Sequence, residues 1–290
     1  MIESLFAGLL TGGIYALVAL AYSIIYTTTR VVNFAIGELI MIAAMVTFTG
    51  SALWGLPFIS ALVIGCAITV LINLVIKAAA LSRLQKLDPI TALLVTLSFG
   101  LLLVTGGQLV WGTAGASFPS IFGKIPLFNL GSLIVTTQDI VTIIIVVVIL
   151  FVVDLIQHRA ILGKSMQAAA EDQEACGVVG INIGWINAVA FNMAAILCTI
   201  AAVLIAPIAG ANVRIGTMVG LKGFAAGILG GLTNGRSAIV GGLIFGVAES
   251  LSGYFFGGES KESIIFVVLM IILAIRPTGL WGEARWQREA

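Results

Sequence analysis

The chain has 290 residues, of which 60% are hydrophobic and only 9% are charged, and its mean hydropathy is +1.18. A soluble chain of this size carries about 25% charged residues, so this one has too few charges to cover a globule in water. Most of its outer surface must therefore face the lipid bilayer. The formal net charge of +1 also excludes nucleic acid as a partner, because binding to phosphates needs a strongly basic surface.

Long apolar segments follow one another along the whole chain. A bilayer core about 30 Å thick needs about 20 apolar residues in a helix. Seven segments meet this requirement: 4–26, 32–50, 57–81, 90–111, 139–156, 185–208 and 238–256. Two shorter segments, 217–232 and 263–275, are either full spans or re-entrant helices. The sequence therefore predicts an all-α polytopic membrane protein with about eight to ten transmembrane or re-entrant helices.

Lysine and arginine are unevenly distributed between the two sides of these segments, and cytoplasmic loops carry the excess of such residues. If the segment that begins at Asp139 ends in the cytoplasm, ten of them lie inside: Arg30, Lys77, Arg83, Lys86, Arg159, Lys164, Arg236, Arg276, Arg285 and Arg288. Only Lys124, Arg214 and Lys261 lie outside. The sequence therefore predicts a cytoplasmic C-terminus and, with nine crossings, an external N-terminus. The first segment follows Glu3 and no basic residue, so we expect a retained span and not a cleaved signal peptide.

A short repeat relates an early segment to a late one. Phe34-Ala35-Ile36-Gly37 is similar to Phe224-Ala225-Ala226-Gly227, and in the predicted topology the two segments cross the membrane in opposite directions. Inverted repeats of this kind place the transport pathway of many transporters at the repeat interface. Four residues can also match by chance in a chain with 34 glycines. In either case we expect residues 1–290 to form a single transmembrane domain.

Residues 157–184 form the polar stretch that is predicted to be cytoplasmic. Charged residues cluster there in a helix-permissive context, and Gly177 and Gly180 end the predicted helix. The stretch is either a solvated connector or a short helix that docks a soluble partner. The acidic run Glu171-Asp172-Gln173-Glu174, followed by Gly180-Ile181, favours docking.

Three charged residues fall inside predicted membrane segments, where a charge costs about 2.5–3.5 kcal/mol on insertion scales. Glu249 lies midway along its segment and either lines a polar pathway or bonds to a neighbouring helix, which is the favoured alternative. Glu38 lies within reach of Arg30 or the cytoplasmic interface, and it either has an interfacial or helix-positioning role or lines the pathway. Lys222 lies near one end of a short segment, where it either extends to the surface or has a functional role.

Enzymatic chemistry has little support in the sequence. Residues 230–237 imitate a phosphate-binding P-loop with Arg in place of Lys, but they link two apolar segments and follow no strand. We therefore expect a glycine-rich turn and no ATP hydrolysis by this chain. Cys66, Cys176 and Cys198 are scattered, which predicts free thiols. With His158 as the only histidine, no metal site is expected.

Five groups of residues occur along the chain in a characteristic order. They are Asn33-Phe34-Ala35-Ile36-Gly37-Glu38, Ala170-Glu171-Asp172-Gln173-Glu174-Ala175 with Gly180-Ile181-Asn182, Lys222-Gly223-Phe224-Ala225 with Leu229-Gly230-Gly231-Leu232, Gly241-Gly242-Leu243 with Gly246 and Glu249, and Arg276-Pro277-Thr278-Gly279-Leu280-Trp281-Gly282. In this order they resemble the permeases of bacterial ABC importers of the branched-chain amino acid class. The resemblance runs nearly from end to end.

The resemblance implies a multi-pass permease subunit in the bacterial inner (plasma) membrane. Its implied partners are a homologous second permease subunit, two cytoplasmic ATPase subunits and a periplasmic solute-binding protein. The ATPases would use ATP and Mg, and this chain would bind no cofactor. The residues implied in coupling to the ATPases are Ala170, Glu171, Asp172, Ala175, Gly180 and Ile181. The pathway candidates are Asn33, Gly37, Glu38, Lys222, Phe224 and Glu249.

Two positions depart from the family pattern. Gln167 stands where an arginine is usual, and Ile36 stands where a histidine or another polar residue is common. The second departure opens the alternative that the substrate is urea, a short amide or an aromatic acid. A secondary transporter driven by an ion gradient is a further alternative, with Glu249 as its coupling residue. An intramembrane enzyme is the least favoured one, because His158 lies at the end of a span.

Overall fold

The computed structural model of the chain describes residues 1–81, 89–116, 118, 122–123, 125–130, 133–258 and 261–282. Five of the basic residues that entered the charge-based topology lie outside the described residues: Arg83, Lys86, Lys124, Arg285 and Arg288. The orientation of the chain in the membrane therefore stays a prediction.

Eleven α-helices make up most of the described chain. They are α1 (Ile2–Thr29), α2 (Ile36–Phe48, continued by the π-helical turn Thr49–Leu53), α3 (Phe58–Leu81), α4 (Pro89–Trp111), α5 (Thr137–Arg159), α6 (Ile161–Glu171), α7 (Gln173–Val178), α8 (Ile183–Ala209), α9 (Ile215–Gly230), α10 (Gly235–Phe256) and α11 (Lys261–Ile275). Seven of them, α1–α5, α8 and α10, are long and apolar enough to span a membrane. Each begins and ends within a few residues of a segment expected from the sequence, which confirms the all-α polytopic membrane fold.

A short antiparallel hairpin precedes α5 and was not expected from the sequence. β1 (Pro126–Leu130) pairs with β2 (Leu133–Thr136). The chain then turns directly into α5, because Oδ2 of Asp139 accepts the backbone N–H of Thr136 at 2.8 Å and its hydroxyl at 2.7 Å. A side-chain acceptor at this place satisfies a backbone donor that the helix start leaves free.

The chain divides into two compact units, of which the first consists of Met1–Ser23, Phe122–Phe151 and Lys222–Ala290. In this unit 1, α1 and α10 pack backbone against backbone. A Cβ on Gly246 would overlap Gly12, and one on Gly242 would overlap Ala16. Small residues permit this close approach of membrane helices, which explains the glycine spacing in α10.

Unit 2 consists of Ile24–Ile121 and Val152–Leu221. In it, α2, α3 and α8 pack against one another, and α2 is buried over almost its whole length. By contrast, α3 and α4 expose large apolar side chains such as Leu71 (63% exposed) and Leu101 (70%), which suits contact with lipid. The single transmembrane domain and the inverted repeat stay predictions.

The turn between α9 and α10 lies within the glycine-rich residues 230–237, since α9 ends at Gly230 and α10 begins at Gly235. Gly231 adopts a φ of 110°, a conformation that glycine adopts far more readily than other residues. Residues 276–282, the last of the five motif groups, pack next to this turn. The N–H of Leu280 donates to the carbonyl oxygen of Leu229 at 2.8 Å. A helix and not a strand precedes the turn, so the expected glycine-rich turn is present and the geometry of a P-loop is not.

Candidate functional site

The predicted coupling residues lie on two short helices, α6 and α7, between α5 and α8. Gly163 lets α6 pack directly beside the end of α5, because a Cβ there would overlap the backbone of Gln157. The first short helix ends at Glu171, and Asp172 adopts an extended conformation with φ −151° and ψ 107°. Oδ1 of Asp172 accepts the N–H of Ala175 at 2.9 Å and so caps the start of α7.

A glycine turn joins α7 to α8. Gly180 adopts a φ of 81°, and the N–H of Ile181 donates to the carbonyl oxygen of Cys176 at 2.9 Å. Oδ1 of Asn182 then accepts the N–H of Trp185 at 3.0 Å and begins α8. We call α6, α7 and the turn that leads to α8 the helix–turn–helix element. The structure thus brings together in this element the predicted coupling residues Ala170, Glu171, Asp172, Ala175, Gly180 and Ile181.

This helix–turn–helix element exposes both acidic and apolar side chains. Glu171 and Asp172 are exposed, and Val178 and Val179 are 89% and 74% exposed. Sequence reasoning missed the two valines, because exposure of an apolar residue at a helix end cannot be read from composition. Gln167, where the family usually has arginine, donates to a backbone carbonyl at the end of α5 at 3.2 Å. The exposed acidic and apolar side chains are therefore accessible for contact with another protein.

Two hydrogen bonds tie this element to the end of α1. Nη2 of Arg30 donates to the carbonyl oxygen of Ala170 at 2.7 Å, and Nε2 of Gln173 donates to that of Thr28 at 3.5 Å. Arg30 adopts a φ of 58°, which is uncommon for a residue other than glycine. Glu38, which the sequence analysis placed within reach of Arg30 as one alternative, bonds to α9 instead.

Buried amides surround the non-helical connection between α1 and α2. Oδ1 of Asn33 accepts the N–H of Ala35 at 3.0 Å, and its Nδ2 donates to Oδ1 of Asn73 at 3.4 Å. Asn73 in turn donates to the carbonyl oxygen of Phe191 at 2.5 Å. The pathway candidate Asn33 therefore belongs to a network that joins the start of α2 to α3 and α8. Sequence reasoning missed Asn73, because a single amide in a long apolar segment shows no spacing pattern.

Glu38 lies in the first turn of α2, where this helix touches α9. A Cβ on Gly37 would come within 2.8 Å of the carbonyl oxygen of Gly216, so glycine is required at this crossing. Glu38 is 7% exposed, and its Oε1 accepts the hydroxyl of Thr217 at 2.8 Å. On α4, a Cβ on Gly100 would meet Cγ of Glu38 at 3.6 Å, an ordinary contact distance. The sequence singled out Glu38 and Gly37 but not Thr217.

Lys222, Glu249 and Glu262 form a charged cluster in unit 1. Nζ of Lys222 lies 2.7 Å from Oε1 of Glu249 and 2.7 Å from Oε1 of Glu262. Lys222 is 8% exposed and Glu249 5%, so Lys222 does not extend to the surface, and Glu249 bonds to a neighbouring helix. Charges this deeply buried are stable only when they are paired. Sequence reasoning missed Glu262, because it precedes the last apolar segment, where a loop charge is ordinary.

The six pathway candidates fall into two groups. Asn33, Gly37 and Glu38 belong to unit 2, and Lys222, Phe224 and Glu249 belong to unit 1. The ring of Phe224 packs against that of Tyr22 at a centroid distance of 5.3 Å. In each group, polar side chains are buried where membrane helices are short or interrupted, an arrangement typical of transport proteins.

The seven membrane-length helices among the described residues define a multi-pass membrane protein. Residues 4–274 match the family described as "Branched-chain amino acid transport system / permease component". The chain therefore belongs to the family of permease components of branched-chain amino acid transport systems, which confirms the resemblance seen in the motifs.

Relatives match the chain over nearly its whole length. The high-affinity branched-chain amino acid transport system permease protein LivH of Escherichia coli (strain K12) is 30% identical over a match that covers 97% of this chain and 96% of LivH. The corresponding protein BraD of Pseudomonas aeruginosa is 29% identical, with the same coverage of both chains. Among solved structures, PsaBC from Streptococcus pneumoniae in complex with Fab has a TM-score of 0.51 at 17% identity, over 97% of this chain and 98% of that one. At this identity the likeness concerns the fold alone.

Proposed function

We propose that this chain is the membrane-spanning subunit of an ABC importer that carries branched-chain amino acids across the bacterial inner membrane. Its relatives LivH and BraD are permease proteins of high-affinity branched-chain amino acid transport systems. Identity near 30% over almost the whole chain supports the same class of transport. Separate ATPase subunits supply the energy, and this chain is a transport subunit without an ATPase site of its own.

The complete importer contains four kinds of subunit. Besides this chain, they are a homologous second permease, two cytoplasmic ATPases and a periplasmic solute-binding protein. This chain binds no cofactor, and ATP and Mg are used by the ATPases. The C-terminus and the helix–turn–helix element of α6 and α7 lie in the cytoplasm, which agrees with the bias of lysine and arginine.

The observation that carries this proposal is an exposed helix–turn–helix element anchored to the ends of long membrane helices. The bond from Arg30 to Ala170 connects the element to α1, and the cap at Asn182 connects it to α8. Closure of the ATPases on ATP would displace α6 and α7, and these connections would pass the displacement to α1 and α8. Switching between outward-open and inward-open states requires rigid connections of this kind.

A secondary transporter driven by an ion gradient has weaker support. From the sequence, Glu249 is the residue that would bind the coupling ion in such a protein. Glu249, the candidate from the sequence, is bonded to Lys222. The exposed helix–turn–helix element would also have no role in a transporter without ATPases.

Purification from the native membrane tests the subunit composition. We expect mass spectrometry to find two ATPases and a second permease with this chain, and we expect the complex in liposomes to take up L-leucine with ATP and the binding protein. A chain that purifies alone and transports solute without ATP would be a secondary transporter. Uptake of urea, an amide or an aromatic acid in place of leucine would support the importer function and show that its substrate is not a branched-chain amino acid.

Substitution of Asp172 tests the coupling role. Asp172→Ala removes the acceptor for the N–H of Ala175, so we expect ATP hydrolysis to continue while leucine uptake falls by about tenfold or more. Asp172→Asn keeps an acceptor oxygen and separates loss of the cap from loss of the charge. Normal leucine uptake by the alanine variant would show that the docking assignment is wrong.

A further inference from the structure

One oxygen of a buried carboxylate in unit 2 has no hydrogen-bond partner among the described residues. Oε2 of Glu38 is buried and has no hydrogen-bond partner among the residues that the structure describes, whereas Oε1 accepts the hydroxyl of Thr217 at 2.8 Å. Desolvating a carboxylate is costly unless its oxygens are bonded. An ionisable residue within a membrane segment therefore marks a functional site by default.

Among the described residues of unit 2, no cation pairs with Glu38. Arg30 donates to the carbonyl oxygen of Ala170 at 2.7 Å, and Lys77 donates to that of Gly184 at 3.0 Å. In unit 1, by contrast, Glu249 has a cation of its own at 2.7 Å. The hydrogen bond of Glu38 is to a neutral hydroxyl, so no cation among the described residues balances a charge on this carboxylate.

The helices around Glu38 suit a passing solute. α2 begins after the non-helical connection from α1, and α9 is a short helix of 16 residues. Gly37 and Gly216 bring the starts of these two helices into backbone contact, and Gly100 of α4 presents no side chain to the carboxylate. Transporters build substrate and ion sites from interrupted helices of this kind, at points where charged groups meet the pathway.

We propose that Glu38 binds the ammonium group of an amino acid during its transport, with Oε2 as the acceptor and Thr217 holding Oε1 in place. The assignment rests on the proposed function, since it takes an amino acid as the substrate. A primary ammonium is a compact cation with three donors. It therefore satisfies both the charge and the free lone pairs of Oε2, whereas urea or an amide supplies no charge and an aromatic acid supplies a charge of the wrong sign.

Charge substitution at Glu38 in the complete importer tests the assignment. The importer is reconstituted in liposomes with its ATPases and binding protein, and initial uptake of L-leucine and ATP hydrolysis are measured together. Glu38→Gln keeps the size of the side chain and its bond to Thr217 but removes the charge. We expect leucine uptake to fall by about tenfold or more, as for one lost charge-assisted hydrogen bond, and hydrolysis stimulated by the binding protein to stay within about twofold. Asp154→Asn, which changes a carboxylate next to His158 on α5, is the matched control and should transport normally.

The two levels of the hypothesis fail in different ways. Glutamine imitates a protonated glutamate, so a Glu38→Gln importer that transports leucine like the wild type would overturn the ammonium site and leave the importer function intact. A wild-type complex without leucine uptake driven by ATP and the binding protein would instead overturn the proposed function.

Chemical modification of the wild-type importer tests the assignment even if the Glu38→Gln variant does not assemble. A hydrophobic carbodiimide modifies buried carboxyl groups in the wild-type importer, and mass spectrometry follows the modification at Glu38. We expect saturating L-leucine, delivered by the binding protein, to slow the modification at Glu38 and not at Glu249. Equal modification of Glu38 with and without leucine would overturn the assignment.

Discussion

The ammonium nitrogen of Lys222 lies 2.7 Å from Oε1 of Glu249, and the two side chains are only 10% and 6% exposed. The same nitrogen lies 2.7 Å from Oε1 of Glu262. One cation from α9 therefore holds carboxylates from α10 and α11. These ion pairs add a directional connection among the three helices.

Removal of the Lys222 charge should destabilise the protein. Lys222→Met leaves Glu249 buried without its cation, and breaking a buried pair from one side costs about 3–5 kcal/mol. We expect less monodisperse protein in detergent and a lower Tm in a thermal unfolding assay. The triple variant K222M/E249Q/E262Q removes all three charges and should recover most of the loss. If the single variant matched the wild type in Tm, the cluster would have no structural role.

Close packing of α1 on α10 should make Gly246 intolerant of even one methyl group. A Cβ on Gly246 would overlap Gly12, and overpacking of this kind costs about 1–3 kcal/mol. We expect Gly246→Ala to lower the Tm of the purified protein clearly. Gly106→Ala is the matched control, because nothing lies within 4 Å of a Cβ there, and it should leave the Tm unchanged or slightly raised. Equal melting of the two variants would contradict the packing described for unit 1.

The amide of Asn73 should contribute to the stability of unit 2. Asn73→Leu keeps the side-chain size but leaves the carbonyl oxygen of Phe191 and the amide of Asn33 without their partner, at a cost of about 1–3 kcal/mol. Thermal unfolding in detergent measures the loss. Leu71→Ala on the same helix is the control, since Leu71 is 63% exposed and its truncation should matter little. A leucine variant as stable as the wild type would show that the network is dispensable.

Gly180 should be sensitive to a side chain for a conformational reason. Its φ of 81° is unfavourable for residues with a Cβ by roughly 1–2 kcal/mol, so Gly180→Ala should distort the turn between α7 and α8. In the reconstituted importer we expect lower leucine uptake per ATP hydrolysed. Gly177→Ala serves as the comparison, because Gly177 has no positive φ and nothing lies within 4 Å of a Cβ there. Equal ratios of uptake to hydrolysis in the two variants would argue against a coupling turn at Gly180.

The membrane class and the positions of the helices were predictable from the sequence alone. In lipid, the backbone N–H and C=O groups of a segment must bond to one another, and an α-helix achieves this within a single segment. Long apolar segments are therefore expected to be helices, and α1 to α5, α8 and α10 lie where the sequence predicted them. The residues predicted to couple to the ATPases were recognisable in the sequence for a related reason, while their coupling role stays a prediction. Asp172 and Asn182 accept hydrogen bonds from backbone N–H groups three residues away, and Gly180 forms a turn through its own positive φ. Such local roles require particular residue types at short spacings, which can be recognised in the sequence.

The partners of the buried polar groups were decided only by the tertiary structure. Glu38 and Thr217 are 179 residues apart in sequence, and Asn73 and Phe191 are 118 apart. Lys222 and Glu249 were each recognised as unusual, but nothing in the sequence joined them to each other or to Glu262. A charged or amide residue inside a long apolar segment can be recognised from the sequence as costly to bury, because the cost depends on its own chemistry and on the apolar residues next to it. The partner that offsets this cost depends on how distant helices pack, and that is settled by shape complementarity along the whole chain.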